Sequence, residues 1–252
     1  MTDGILGGFL RHKEAGNLIR LGNNWDGGYV VSEQDIASSH FLIGLGISDN
    51  WSFEEDFIKK NNVHLHAYDA SISGRIFLGK FLKSLHKVHK PQIAISCYKT
   101  WVRYRNFFRG NKHHFPKFVG AQNGKKQISM SEIFNQIKSD KIFLKVDIEG
   151  SEYRILDTIL RNQHRLTGAV IEFHDCDLHM TWIEKFVKGF ALPIVHIHAN
   201  DYSAISNDGI PHTLEISFSA NSNISEIERK YPQDIDQPNN PDGQNIRLVF
   251  LD

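Results

Sequence analysis

Phe41-Leu42-Ile43-Gly44-Leu45-Gly46-Ile47-Ser48-Asp49 leads into Trp51-Ser52-Phe53-Glu54-Glu55-Asp56-Phe57-Ile58, and then into Val63-His64-Leu65-His66-Ala67-Tyr68-Asp69. The first run, Phe41 to Gly46, is apolar on both faces, as in a strand buried within a covered sheet. Phe53, Phe57 and Ile58 then recur at helical spacing, and a second strand-like run, Val63 to Tyr68, ends on an acid. Strand, glycine loop, helix, strand is the opening unit of a doubly wound α/β sheet. Ser52 and Glu55 have capping-box spacing with Trp51 just before them, which predicts a helix capped by Ser52.

Outward from this unit, further strand-length runs occur at Ile93 to Tyr98, Ile142 to Val146, Ala169 to Phe173, Ile194 to Ile197, Leu214 to Phe218 and Ile246 to Leu251. Helically spaced sets lie between several of them: Ile133, Phe134, Ile137; Tyr153, Leu156, Ile159, Leu160; and Trp182, Ile183, Phe186, Val187, Phe190. The alternation predicts an α/β sheet with helices on both faces. It fails after Asp201, where a Pro/Asn/Asp-rich connection separates the last two runs, and late antiparallel strands are expected at one edge. Without an internal repeat or a linker, residues 1–252 read as one domain with an N-terminal entry segment, 1–39. In that segment Asp26-Gly27-Gly28 followed by Tyr29-Val30-Val31 reads as a tight turn into a short strand.

A chain of 252 residues, 40% hydrophobic and 23% charged, is long enough for a large buried core and excludes disordered and collagen-like classes. No apolar run approaches the roughly 20 residues that span a bilayer, and Met1 to Gly16 has too short an apolar centre for a signal peptide, so a cytoplasmic location is expected. Cys97 and Cys176 have neither paired nor CxxC spacing and are expected to be reduced and structural.

The zero net charge conceals segregation. Residues 1–69 carry a balance of −5, residues 70–131 of +13 without a single carboxylate, and residues 132–252 of −8. A stretch of this kind, containing Arg103, Arg105 and Arg109, points to a positive surface for an anionic ligand, since guanidinium forks match phosphate oxygens. Its aromatic residues Tyr98, Trp101, Tyr104, Phe107 and Phe108 also suit an RNA surface, although that spacing more often belongs to a helix packing its apolar face.

Gly44-Leu45-Gly46 with Asp69 is the layout of a nucleoside site: glycines admit the ligand to the backbone and the acid accepts from ribose hydroxyls. The third glycine of the dinucleotide fingerprint is absent. Asp49, Glu54, Glu55 and Asp56 crowd the helix start, opposing a pyrophosphate there and tolerating a cationic, phosphate-free cofactor such as S-adenosylmethionine. The same acids also suit a helix N-terminus in any fold. A second site stands at Lys141-Ile142-Phe143-Leu144-Lys145-Val146-Asp147-Ile148-Glu149-Gly150-Ser151-Glu152-Tyr153. There a strand delivers Asp147 and Glu149 on one side of its carboxyl end, and Gly150 turns the chain into a helix.

Phe143 to Glu152 resembles the signature of FkbM-type methyltransferases. Glu172-Phe173-His174, His196-Ile197-His198-Ala199-Asn200 and Pro211-His212-Thr213-Leu214-Glu215 resemble later blocks of that family, and Asp26-Gly27-Gly28-Tyr29 resembles the entry motif of one of its branches. The resemblance runs from Arg20 to the C-terminal region. It departs where many members carry an acid before the first glycine of the loop, and the insert from Lys80 to Lys126 has no counterpart. It implies a class I, Rossmann-like methyltransferase sheet and S-adenosylmethionine-dependent O-methylation of sugars. The cofactor is then expected at Gly28, Tyr29, Gly44, Gly46, Asp69 and Ala70.

Methyl transfer to a hydroxyl needs a general base or a divalent metal to activate the oxygen. Asp147, Glu149 and His174 are the candidate ligands for iron, manganese or magnesium; Asp147, His174 and His198 are the candidate catalytic residues, with His198 or His174 as the base. Asn200, Arg103, Arg105 and Arg109 are candidates for substrate binding, with an anionic nucleotide-linked sugar or surface-glycan precursor as acceptor. Other classes compatible with parts of the pattern are an NAD-dependent nucleotide-sugar oxidoreductase, an RNA methyltransferase or RNA-binding module, and a non-enzymatic binding protein. Nucleic acid is the less favoured partner, and the pattern is compatible with a homo-oligomer.

Overall fold

The computed structural model describes residues 3–86 and 89–251. Four short strands open the chain: β1 (Asp3–Gly7), β2 (Lys13–Ala15), β3 (Leu18–Gly22) and β4 (Gly28–Ser32). β3 and β4 form an antiparallel hairpin with Gly22 opposite Gly28, closed by the expected Asp26-Gly27-Gly28 turn. Helix α1 (Glu33–Ser38) leads into β5 (Phe41–Leu45), α2 (Ser52–Lys60) and β6 (His64–Tyr68). Next come the helical hairpin α3 (Gly74–Ser84) and α4 (Pro91–Phe107), then β7 (Lys112–Phe115), β8 (Phe118–Gly120), β9 (Gln127–Ser129) and α5 (Met130–Gln136). The second half contains β10 (Ile142–Val146), α6 (Leu156–Asn162), β11 (Leu166–Phe173), α7 (Cys176–Gly189), β12 (Ile194–Ala199), β13 (Leu214–Ser219), β14 (Ile224–Glu228) and β15 (Arg247–Leu251).

Seven strands make the central sheet in the order β12-β13-β11-β10-β5-β6-β7. All pairs are parallel except those of β13, which is antiparallel to both β11 and β12. Numbered along the chain, the order is 3-2-1-4-5-7-6: the doubly wound arrangement with one reversed strand inserted before the last. This is the expected class I α/β sheet.

Both faces are covered, which is why β10 and β11 are buried at every position. Strand alternation sends Leu42, Leu65, Phe143 and Val170 to a core shared with Tyr29, Trp51, Phe53 and Phe57. Ile43, Leu144 and Ile171 go to the opposite core, with Ile133, Ile159 and Phe186 from α5, α6 and α7.

Three local expectations are corrected. Ile93 to Tyr98 is helical: Pro91 occupies the first turn of α4, and the half-buried residues Cys97, Trp101, Tyr104 and Phe108 recur every three or four positions. Ile246 to Leu251 does not extend the main sheet. Within it, β15 pairs parallel with β1 in a separate two-stranded sheet, while the other late run, β13, is antiparallel but internal. Finally, α2 starts after Trp51 and without a capping box, because the Trp51 Nε1–H occupies Glu55 Oε1 at 3.0 Å and Ser52 Oγ accepts the Asn23 N–H at 3.0 Å. No helix among the described residues is long and apolar enough to cross a membrane.

Candidate active site

The carboxyl ends of β5, β6 and β10 are tied into one edge. Gly46 donates its N–H to Tyr68 O at 3.0 Å, and Asp147 donates its N–H to Leu45 O at 3.0 Å. Gly46 has φ +71°, and a Cβ there would lie 1.5 Å from Asp147 O, so only glycine lets the loop pass this carbonyl. Gly44 serves differently: a Cβ would sit 2.7 Å from Glu54 Oε1, so its bare Cα accommodates the buried side chain of α2. Asp69 holds the loop. Its Oδ2 accepts the N–H groups of Ile47 (3.1 Å) and Ser48 (2.7 Å), and its Oδ1 accepts that of Ser71 (2.7 Å). A carboxylate has about four acceptor positions, so Asp69 keeps capacity for ligand hydroxyls.

A cleft of about 750 Å³ opens at this edge, lined by Gly46, Asp69, Asp147 and Glu149 and, from the insert, by Phe118 and Gln122. That volume suits a nucleoside-sized ligand. The acids at the helix start do not line it, which corrects the electrostatic expectation. Glu54 is buried, Glu55 is forked by Arg103 at 2.8 and 2.7 Å, and Asp56 pairs with Lys59 and the Gly22 N–H. The charges that do face the cleft are three carboxylates, Asp69, Asp147 and Glu149, against Lys117 and Arg154.

Beside the cleft lies a cluster of acids. Asp147 Oδ2 is 3.1 Å from the Tyr29 hydroxyl and accepts from Lys145 Nζ at 3.2 Å, while Tyr29 also donates to Glu172 Oε2 at 2.7 Å. Lys145 is buried and donates its remaining short bond to Gly46 O at 2.6 Å. Burial works against its charge, but Asp147 and Glu54 outweigh it and raise the Lys145 pKa. Burial, reinforced by Asp147 and Glu215, lifts Glu172 well above the usual carboxylate range.

His174 faces four carboxylates. Its Nδ1 is 3.2 Å from Glu152 Oε1, and its Nε2 is 3.6 Å from Glu149 Oε2 and 3.8 Å from Glu172 Oε1. Burial lowers its pKa, but the Glu152 hydrogen bond and charge, with Glu172 and Asp147, raise it to about 9. Glu152 is itself fixed by the N–H groups of Ile148 and Gly150 at 3.0 and 3.3 Å. One ligand atom from each of Asp147, Glu149 and His174 lies within 4.8 Å of the others. An imidazole anchored at Nδ1 by a carboxylate presents Nε2 to a cation, the usual support of a metal-binding histidine. The residues therefore fit a divalent metal. Backbone strain gathers here too: Ser48 (φ 44°), Glu149 (φ 53°) and Asp175 (φ 50°) are left-handed without being glycine.

Among the expected site residues, Gly46, Asp69, Asp147 and Glu149 line the cleft and His174 adjoins it. Gly28 and Tyr29 do not line it; Tyr29 is buried beneath the carboxylates. His198 is buried, donates from Nε2 to Asn239 Oδ1 at 2.8 Å, and is held neutral by burial. Asn200 donates to Glu172 Oε1 at 3.1 Å and so supports the acid cluster. Arg103 is engaged by Glu55 and lies 4.7 Å over Trp51. Arg109 is exposed beyond the end of α4.

Ala70 and Arg105 belong to a second cleft of about 770 Å³, with Arg75, Trp101, Pro116 and Lys126. It adjoins the first, because consecutive residues line one or the other: Asp69 and Ala70, Lys117 and Pro116, Gln127 and Lys126. Sequence reasoning read Lys117 only as part of the basic stretch and missed Gln122, Ser71 and Arg154 in the first cleft. Of these only Ser71, two residues beyond Asp69, carried a positional signal.

No protein-family model matches the chain, and no curated protein matches it. Among solved structures, an rRNA methylase from Streptococcus thermophilus is similar over 75% of this chain and 94% of its own, at 10% identity and TM-score 0.39. A fibrillarin/Nop5p complex is similar over 72% and 73%, at 11% identity and TM-score 0.38. The methyltransferase domain of bacterial CtHen1-CN is similar over 73% and 91%, at 11% identity and TM-score 0.34. Likeness at this level assigns neither activity nor substrate.

Proposed function

We propose that the chain is an S-adenosylmethionine-dependent O-methyltransferase of the FkbM type, acting on a hydroxyl of an anionic sugar. The observation that carries this reading is the edge cleft, in which the tight Gly46 crossing, the anchored Asp69 and the Asp147–Glu149 pair meet at the carboxyl ends of three parallel strands. Three carboxylates against two cations favour a cofactor that is cationic and free of phosphate over a dinucleotide.

S-adenosylmethionine, when bound, supplies a methyl group on a sulfonium; a divalent cation at Asp147, Glu149 and His174 would lower the pKa of a sugar hydroxyl. The chain's own part is positioning. Asp69 accepts from ribose hydroxyls. Tyr29 and Lys145 both engage Asp147 Oδ2, which leaves Oδ1 to take the acceptor proton or to ligate the cation. Glu152 fixes the His174 ring, and Asn200 and Tyr29 fix Glu172. A nucleophile aligned about 3 Å from the methyl carbon gains most of its rate from such fixed geometry.

Arg75, Arg105 and Lys126 in the adjoining cleft give the phosphates of a nucleotide-linked acceptor a place beside the reacting centre. Titration calorimetry with S-adenosylhomocysteine and NAD, followed by a mass-spectrometric screen of nucleotide-linked sugars for gain of one methyl group, tests the reading. Tight S-adenosylhomocysteine binding and a methylated sugar are the expected results, and binding of NAD alone would overturn it.

A further inference from the structure

Helices α3 and α4 form an antiparallel hairpin whose two ends differ. At its base, Phe77 and Tyr104 pack on Trp51 of the main core, with ring centroids 5.9 Å from it in both cases. Midway, Phe81 and Tyr98 meet at 5.3 Å. Beyond that contact the large apolar side chains described at the tip are open to solvent. α4 runs seventeen residues without one that is fully buried, and around the tip Leu82 is 51% exposed, Leu85 53%, Ile95 53% and Tyr98 48%. A helix of this length in a folded domain ordinarily buries one stripe.

The charged residues around this apolar tip are all of one sign. Lys80, Lys83, Lys90 and Lys99 lie on the hairpin, no acid occurs anywhere from 70 to 131, and none of these lysines has a carboxylate partner among the described residues. We propose that the hairpin tip docks on an anionic lipid surface, with Leu82, Leu85 and Ile95 entering the headgroup boundary and the lysines contacting lipid phosphates.

Exposed aliphatic side chains flanked by lysines have the composition of an interfacial anchor. An RNA surface would instead offer several stacking aromatics, whereas of the hairpin's described aromatics Tyr98 stands exposed while Tyr104, Phe107 and Phe108 pack against the core. Self-association through this tip would bring lysines against lysines, because a two-fold contact places the same patch on both sides. The inference does not depend on the methyl-transfer reading. It places the two clefts near a membrane, where a lipid-carried acceptor would be presented.

The test is co-sedimentation of the full chain with large vesicles of phosphatidylcholine alone or mixed with phosphatidylglycerol. Expected is binding to the anionic vesicles only, weakened about tenfold when salt rises from about 0.1 to about 0.5 M as the charges are screened. Leu82→Glu with Ile95→Glu should abolish it and Lys83→Gln with Lys90→Gln should weaken it, while Leu178→Glu, at an exposed site on α7, should leave it intact. Because all these side chains are exposed, unchanged thermal unfolding is expected for every variant. Absence of vesicle binding, equal binding by the Leu82/Ile95 variant, or salt-sensitive capture of single-stranded RNA with none of vesicles would overturn the proposal. S-adenosylhomocysteine affinity, measured on the same samples, reports separately on the cofactor site.

Discussion

Gly46 and Asp147 cross so closely that a single methyl group on Gly46 would fall 1.5 Å from the Asp147 carbonyl oxygen. The contact joins the glycine loop after β5 to the acidic loop after β10, and it makes one rigid edge out of two segments a hundred residues apart in sequence. Gly46→Ala adds both a backbone clash and a left-handed alanine, so it is expected to destabilise the fold by about 3 kcal/mol or more. Urea unfolding of the variant checks this. Unchanged stability would mean that the loop has room the structure does not show.

Asp69 holds the loop and, on the proposed reading, also binds the cofactor, two tasks that substitution can separate. Asp69→Asn keeps one acceptor oxygen for the loop, whereas Asp69→Ala removes both. Loss of hydrogen bonds to a charged group costs about 1.5 to 3 kcal/mol, so S-adenosylhomocysteine affinity should fall by that amount in Asp69→Ala and by less in Asp69→Asn. Calorimetry decides it; equal affinity in all three proteins would remove Asp69 from the cofactor site.

The proposed metal ligands can be checked without turnover. Manganese binding to the chelator-treated chain, followed by electron paramagnetic resonance, should be saturable and should be lost in His174→Ala and Glu149→Ala. Glu152→Ala, which releases the His174 ring without removing a ligand, is expected to weaken binding about ten- to a hundredfold. Identical manganese spectra from all four proteins would exclude this cluster as the site.

Acid should loosen the N-terminal segment. His12 Nδ1 bonds to Leu10 O at 2.9 Å and Nε2 to the Tyr231 hydroxyl at 2.8 Å, and burial lowers its pKa from 6.5 to about 4. A histidine held neutral in the folded state contributes stability that is present above pH 6.5 and lost as pH falls toward about 4. The His12→Gln variant should therefore lose about 2 kcal/mol less than the parent between neutral pH and the acid end of that window. Parallel curves from chemical denaturation would place the acid sensitivity elsewhere.

The fold was legible where burial on both faces leaves no choice of period. Phe41–Leu45, Ile142–Val146 and Ala169–Phe173 read as central strands because each run is apolar on both faces, with only Lys145 in the second and Glu172 in the third carrying a charge. Asp147 and Glu149 were legible for a related reason, since strand alternation and the following Gly150 fix where the chain must turn. Ile93 to Tyr98 was misread because a short apolar run fits a strand as well as a helix, and only the later Trp101, Tyr104 and Phe108 reveal the helical period. Partners distant in sequence were invisible. Nothing near Arg103 announces Glu55, 48 residues away, and nothing in Gly44 announces that its space belongs to Glu54. The same distance effect hid the pairing of β15 with β1.

That difference between sequence and structure sharpens the reading of the basic insert. Arg103, Arg105 and Arg109 look equivalent along the chain, yet Arg103 is held by Glu55 while Arg105 faces the second cleft with Arg75 and Lys126. If the acceptor carries a diphosphate, Arg75→Gln with Lys126→Gln should raise its KM about tenfold, the effect of losing about 1.4 kcal/mol of charge-assisted bonding, with kcat nearly unchanged. Arg103→Gln should lower stability slightly and leave KM alone, because its guanidinium is already occupied. Raising the salt should weaken the parent toward the double variant, since the cleft is open to solvent and its charges are screened over about 8 to 10 Å. The decisive measurement is kinetics on a nucleotide diphosphate sugar and the matching neutral sugar at low and high salt. Equal KM for both sugars in the parent, or an effect of Arg103→Gln as large as that of the double variant, would show that the acceptor's charge is read elsewhere.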